Sequence, residues 1–171
     1  VENWAKELGC TAVHGPLGFT DLDYEGMLVE GFEERGTMAT IYNYPYYPIF
    51  MEQLGYGKAV DWHEYRIHVP NQLPENILKI ANLVERRFKL HVVPMKSTKD
   101  LKPYAREVFQ LVNETYAELY GVVELSQRQI DYYVKMYFSM IRVDFITLIA
   151  NEQNKLVGFG ISMPSLSKAL Q

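Results

Sequence analysis

Cysteine is nearly absent: Cys10 stands alone in 171 residues. One thiol excludes an internal disulfide and fits a reducing compartment, the cytoplasm. Cys10 follows a helix-ending Gly9 with no basic neighbour at hand, so it reads as an inert thiol. Basic runs are missing too. With a net charge of −4 and no cationic stripe, nucleic acid and anionic membranes are not expected partners. No signal peptide opens the chain, and no apolar run is long enough to span a bilayer. P-loop, nucleophile-elbow and paired-cysteine metal motifs do not occur.

What the sequence has in quantity is tyrosine, thirteen in all. Four crowd into Tyr42–Tyr47, ahead of a short segment, Pro48–Leu54, that stops at Gly55. Proline biases the residue before it away from helix, which predicts extended Tyr44 and Tyr47, with Pro48 at the first helical position. Ile49, Met51 and Leu54 offer a buried stripe, and Gly55 a left-handed terminator. An aromatic loop feeding a helix builds one wall of a pocket, or packs in a core or on a surface. Tyr42, Asn43 and Tyr44 are the pocket candidates here.

Taken in order, residues 1–8 predict a helix ended by Gly9, then a short apolar strand over Thr11–His14 bending at Gly15-Pro16. Gly18–Asp23 is a polar loop, Met27–Val29 a short strand or packed loop, and Gly31 and Gly36 bracket a turn. Residues 59–69 alternate along AVDWHEYRIHV, the pattern of a strand with mixed faces. Pro70–Pro74 is the clearest linker. Ile77, Ile80, Ala81 and Val84 then mark an amphipathic helix ending at Arg86-Arg87, and Phe88–Val93 alternates as a strand. The longest helix is expected over 98–119, capped by Asp100, with Leu101, Ala105, Val108, Val112, Thr115 and Leu119 on one face. Ser126 and Gln129 form a capping box for the next helix, whose buried face is Ile130, Tyr133, Val134, Tyr137 and Ile141. Residues 145–150 and 155–163 are apolar strands joined by a hairpin at 151–154.

The second half is therefore strand, helix, helix, strand, strand, and that order resembles the opening of a GNAT-superfamily acyltransferase unit. Leu156-Val-Gly-Phe-Gly160 resembles that fold's "ivGf" third strand. The first half resembles the closing part of another such unit. Glu7-Leu-Gly-Cys-Thr-Ala-Val13 is similar to the "lGft.v" helix-to-strand step, and Phe50-Met-Glu-Gln-Leu-Gly-Tyr56 to the "lYeklGF" helix. His14-Gly-Pro16, Gly31-Phe32, Tyr42–Tyr47 and Leu54-Gly-Tyr56 together also look like bacterial proteins with tandem GNAT-like units. The resemblance implies an α+β fold with a mixed, mostly antiparallel sheet flanked by helices. It divides the chain into a closing half-unit over 1–70, a linker and connecting helix over 71–87, and an opening half-unit over 88–171. With no initiator methionine and a tail at Ser165–Gln171 that stops mid-pattern, the chain reads as a piece of a longer protein.

The same resemblance implies N-acyl transfer from acetyl-CoA or another acyl-CoA to an amine acceptor, without a metal. Two features depart from it. GNAT enzymes hold the cofactor pyrophosphate on backbone amides of a Gly-rich loop opening a helix, and no Q/R-x-x-G-x-G/A run exists here. The tyrosine that protonates the leaving thiolate in many of these enzymes aligns with Met51, which has no proton to give. Tyr46 and Tyr47 are the nearest substitutes. Acyl transfer also needs a base. Glu30 and His14, each beside a predicted strand end, are its candidates, against the plainer readings of a solvated carboxylate and a structural histidine. Tyr116, Tyr120 and Tyr132 lie on the helices that cover the acceptor site by resemblance, and are candidates to line it.

Metal chemistry finds little. His63 and His68 point to opposite faces of their predicted strand, and His91 is a lone strand histidine. Asp21, Asp23 and Glu25 have alternate acidic spacing but no further ligand pattern, the mark of a solvated turn. Three functions fit: part of an acyl-CoA-dependent N-acyltransferase, a non-catalytic GNAT-like module binding a small molecule or protein, or an aminoacyl-tRNA-dependent peptidoglycan transferase. The last needs basic surface for tRNA, which this acidic chain lacks. Unpaired strand edges in a half-unit would favour a homodimer.

Overall fold

A computed structural model describes residues 1–20, 22–37, 39–137 and 141–169. Its elements are α1 (Glu2–Glu7), α2 (Tyr46–Gln53), α3 (Glu75–Phe88), β1 (His91–Val92), α4 (Thr98–Leu101), a 3-10 turn (Lys102–Tyr104), α5 (Ala105–Tyr116), α6 (Gln127–Tyr137), a second 3-10 turn (Val143–Phe145), β2 (Ile146–Ala150) and β3 (Leu156–Ile161). The fold is α+β. Its three strands form one antiparallel sheet in the order β1-β2-β3. No described helix is long and apolar enough to cross a membrane.

Two compact units divide the described residues. Unit 2 spans Trp62–Glu118 and Glu124–Pro164 and holds the sheet. Its hairpin follows from the Asn151–Asn154 connection, where Asn154 takes a left-handed φ of 58° and Asn151 Oδ1 accepts the Gln153 and Lys155 N–H groups. The alternation of 146–150 turns Ile146, Leu148 and Ala150 to one face, where all three are buried, Leu148 at 0% exposure. Across the hairpin Leu148 opposes Phe159, with an irregular register at Ile149/Ala150. Leu101 of α4 and Val108 of α5 close that face, joined by Val93 and Leu156. Ile130 and Tyr133 of α6 are buried as expected, while Val134 and Tyr137 are only half-buried. The Ser126–Gln129 capping box forms: Gln129 Oε1 accepts the Ser126 N–H at 2.9 Å, and Ser126 Oγ faces the Gln129 N–H at 3.4 Å.

The helix expected over 98–119 is broken. Pro103 supplies no N–H, and the chain tightens to a 3-10 turn before α5. Ser97 is the N-cap, and Asp100, expected there, sits three residues inside and reaches back to the Lys96 and Ser97 N–H groups at 2.9 Å each. The strand expected over Phe88–Val93 is shortened to His91–Val92, with the Val93 N–H still bonded to the Leu148 carbonyl at 2.9 Å, because α3 runs through Phe88 to a left-handed Lys89. The strand expected over 59–69 does not form: alternation prepares a strand, but a ladder needs a neighbouring edge.

Unit 1 takes the described residues of Val1–Asp61, Leu119–Val123 and Ser165–Gln171. It contains no strand among them, so Thr11–His14 is irregular rather than a strand, as is Met27–Val29. Hydrogen bonds hold it instead. Tyr56 OH donates to Glu2 Oε1 at 2.7 Å, and Ser167 Oγ donates to the Gly36 carbonyl at 2.8 Å. In α2, Tyr47 is helical rather than extended, and Pro48 is the third helical residue, still inside the turn whose amides need no intrahelical acceptor. The stripe of Ile49, Met51 and Leu54 is not buried: Ile49 and Leu54 are exposed and Met51 is half-exposed. Gly55 ends the helix at φ 87°.

Candidate functional site

Unit 1 gathers most of the candidate residues. His14 and Tyr120, named separately as a base and a pocket residue, meet. His14 Nδ1 lies 3.3 Å from the Tyr120 hydroxyl, and the rings stand edge-to-face with centroids 6.1 Å apart. Gly121, at φ 77°, turns the chain immediately after Tyr120.

The aromatic loop makes a second cluster. Tyr46 stacks on Tyr44 at 5.7 Å and on Tyr47 at 4.9 Å, and Phe50 tilts against it at 5.2 Å. All four rings remain substantially exposed, as does Tyr42. They form a surface pile rather than the wall of an enclosed pocket. Asn43 has a structural job: its Oδ1 accepts the Leu28 N–H at 2.7 Å and its Nδ2 donates to the Leu28 carbonyl at 3.1 Å. Both ends of its amide are thus committed to the backbone. Lys58 Nζ donates to the Asp61 carboxylate at 2.7 Å, which raises the Lys58 pKa, and the exposed Glu30 adds the smallest push in the same direction. Nothing among the described contacts joins Glu30 to His14.

Tyr116 and Tyr132 belong to unit 2. Tyr132 is exposed and meets Tyr133 edge-on at 5.5 Å, and Tyr116 is exposed at the end of α5. Neither lines either of two open clefts of that unit. One, of about 370 Å³, lies between α5 and the start of β3 and presents Arg106, Glu107, Glu114 and Lys155. The other, of about 460 Å³, presents Gln110, Asn113, Glu124 and Gln127. Sequence reasoning passed over these residues. The signal available was the seven-residue spacing of Glu107 and Glu114, which puts both on one face of a helix. Most of their polar groups serve the fold. Glu107 Oε1 accepts the Leu156 N–H, Arg106 pairs with Asp131 at 2.9 Å, and the Asn113 amide holds both backbone groups of Leu125.

Among the described residues no group of three or more His, Cys, Asp or Glu could hold a metal ion. Asp21 of the acidic loop lies outside the described residues. Asp23 instead accepts the Phe19 and Thr20 N–H groups at 2.9 and 3.0 Å, the work of a turn.

The pyrophosphate of an acyl-CoA needs several unclaimed N–H groups opening a helix. Four of the described helices have part of that opening taken. At α4 and α6 a capping box takes the N–H groups of Ser97 and Asp100, and of Ser126 and Gln129. Helix α2 opens on Pro45 and loses a further amide at Pro48, and α3 opens on Pro74.

No family model matches the chain, and no solved structure matches it. The chain is similar to Protein YghO of Escherichia coli (strain K12), at 22% identity over 172 residues. That alignment takes in 99% of this chain and 43% of the relative, so the chain spans less than half of the protein it matches.

Proposed function

We propose that this chain is the acceptor-side part of a GNAT-like N-acyltransferase that moves an acyl group from acyl-CoA to an amine, working in the cytoplasm. The observation that carries this reading is the order and pairing of unit 2. A first strand, two helical segments packed together, and then two antiparallel strands follow one another, with β2 central and the Gly158/Gly160 strand last. The acceptor is a small amine or an amine-bearing molecule. Neither nucleic acid nor membrane is a partner in this reading. The pyrophosphate loop is supplied in this reading by sequence other than these residues, since they contain no Q/R-x-x-G-x-G/A run.

A second reading, a non-catalytic GNAT-like binding module, draws on that same missing run and on Met51 in place of the thiolate acid. Calorimetric titration of acetyl-CoA separates the two, run on this chain and on Protein YghO. The expected result is no heat of binding with this chain and saturable binding with the longer relative. Binding by neither would favour the module. Saturable binding by this chain alone would overturn the assignment of the pyrophosphate site to other sequence.

A further inference from the structure

The cleft between α5 and the opening of β3, about 370 Å³, is lined by residues of unit 2 throughout. Leu156, almost wholly buried, and the half-buried Leu111 are its apolar part. Its charges are unevenly placed. Because the Glu107 carboxylate accepts the Leu156 N–H at 2.9 Å, the preceding residue, Lys155, stands at the Glu107 end. Arg106, next to Glu107 in sequence, lines that end too, which therefore carries two cations and one carboxylate. The remaining charge of the lining is Glu114, seven residues on and so about 10 Å further along the helix axis. Gln110 lies between them on the same face.

The fold uses only part of this set. Glu107 holds the start of β3, and Arg106 pairs with Asp131 at 2.9 Å. The side chains of Gln110, Glu114 and Lys155 are exposed and have no partner among the described contacts. Glu114 and Lys155 thus share a cleft without neutralising each other. Both stay available to a ligand that carries the complementary pair of charges.

We infer that this cleft binds a short zwitterion of dipeptide length. Its carboxylate faces Lys155 and Arg106, its ammonium faces Glu114, and its amide lies beside Gln110, whose side chain both donates and accepts. A free α-amino acid carries both charges on one carbon and is short for the span. Two extended residues reach about 7 Å, and a charge-assisted hydrogen bond of about 2.8 Å at each end covers the rest. The volume falls within the range of small-ligand sites. Binding there requires no acyl transfer, so it stands apart from the proposed reaction.

Titration of glycylglycine into the isotope-labelled chain, followed by NMR at the Lys155 and Leu156 amides, tests this. The expected result is saturable shifts with a millimolar Kd, and binding about fivefold weaker for glycine, methylamine or acetate. Glu114→Gln and Lys155→Gln should each weaken glycylglycine binding about fivefold. Both positions are exposed, so far-UV circular dichroism should be preserved. Glu107 is left intact because it fixes β3. Shifts that never saturate would overturn the inference. So would glycine, methylamine or acetate binding as tightly as glycylglycine, or binding indifferent to both substitutions, which would place the ligand elsewhere.

Discussion

Glu107, in the first turn of α5, accepts the backbone N–H of Leu156, the opening residue of β3, at 2.9 Å. Leu156 is almost wholly buried, so its N–H has no water to turn to. A helix side chain therefore fixes where the last strand begins. Glu107→Ala should destabilise unit 2 by about 1–3 kcal/mol, the range for a buried donor left unsatisfied. Glu107→Gln, which keeps an acceptor oxygen, should recover most of that loss. Urea denaturation of the three proteins checks the order.

The Asp100 carboxylate is held below the usual carboxylate range, first by the Lys96 N–H and then by the Ser97 N–H. A depressed folded-state pKa contributes stability that is fully present above the unfolded value and is lost as pH falls through the folded one. Thermal unfolding followed from neutral pH into the acid range should therefore show a decline that Asp100→Asn flattens. An unchanged acid slope in the variant would mean that other carboxylates set it.

Tyr120→Phe removes the hydroxyl that meets His14 and keeps the ring. Because the pair is exposed, the expected loss is below about 1 kcal/mol. A double-mutant cycle with His14→Ala should give a coupling energy different from zero, which isolates the contact from the loss of either side chain alone.

Leu148 sits at the centre of the sheet with no exposed surface. Leu148→Ala should cost about 2–5 kcal/mol through lost burial and the cavity left behind. Ile49→Ala in α2, a residue of the same class but half exposed, should cost much less. Denaturant midpoints compared at equal slope test the contrast.

That contrast marks where sequence reading succeeds. The Ser126–Gln129 box and the Asn151–Asn154 hairpin are complete within four residues, so local chemistry decides them. The strand over Ile146–Ala150 was legible as an apolar run, and the sheet then decides which of its residues are buried. Ile49 and Leu54 show helical periodicity in unit 1 without a core to receive it, and nothing within α2 distinguishes the two cases. The strand expected over 59–69 failed for a related reason, since its partner lies outside its own pattern. Among the site candidates, the His14–Tyr120 contact joins positions 106 residues apart. Each residue was recognisable, but no spacing rule links them. Glu107 was hidden by its ordinariness: a glutamate in a first turn reads as a favourable interaction with the helix dipole, and its bond to β3 exists only after folding.

Helix α3 has a consequence for local opening. All fourteen of its residues are exposed, including Ile77, Ile80, Leu83 and Phe88. The Lys79–Glu75 ion pair along it is itself solvent-exposed. A helix of this length with every residue exposed is marginal in water, so in this chain α3 should melt and re-form while the sheet stays closed. Its amides should exchange far faster than those of β2, and limited proteolysis should cut first between Glu75 and Phe88, separating the chain on either side of a joint that the sheet does not guard.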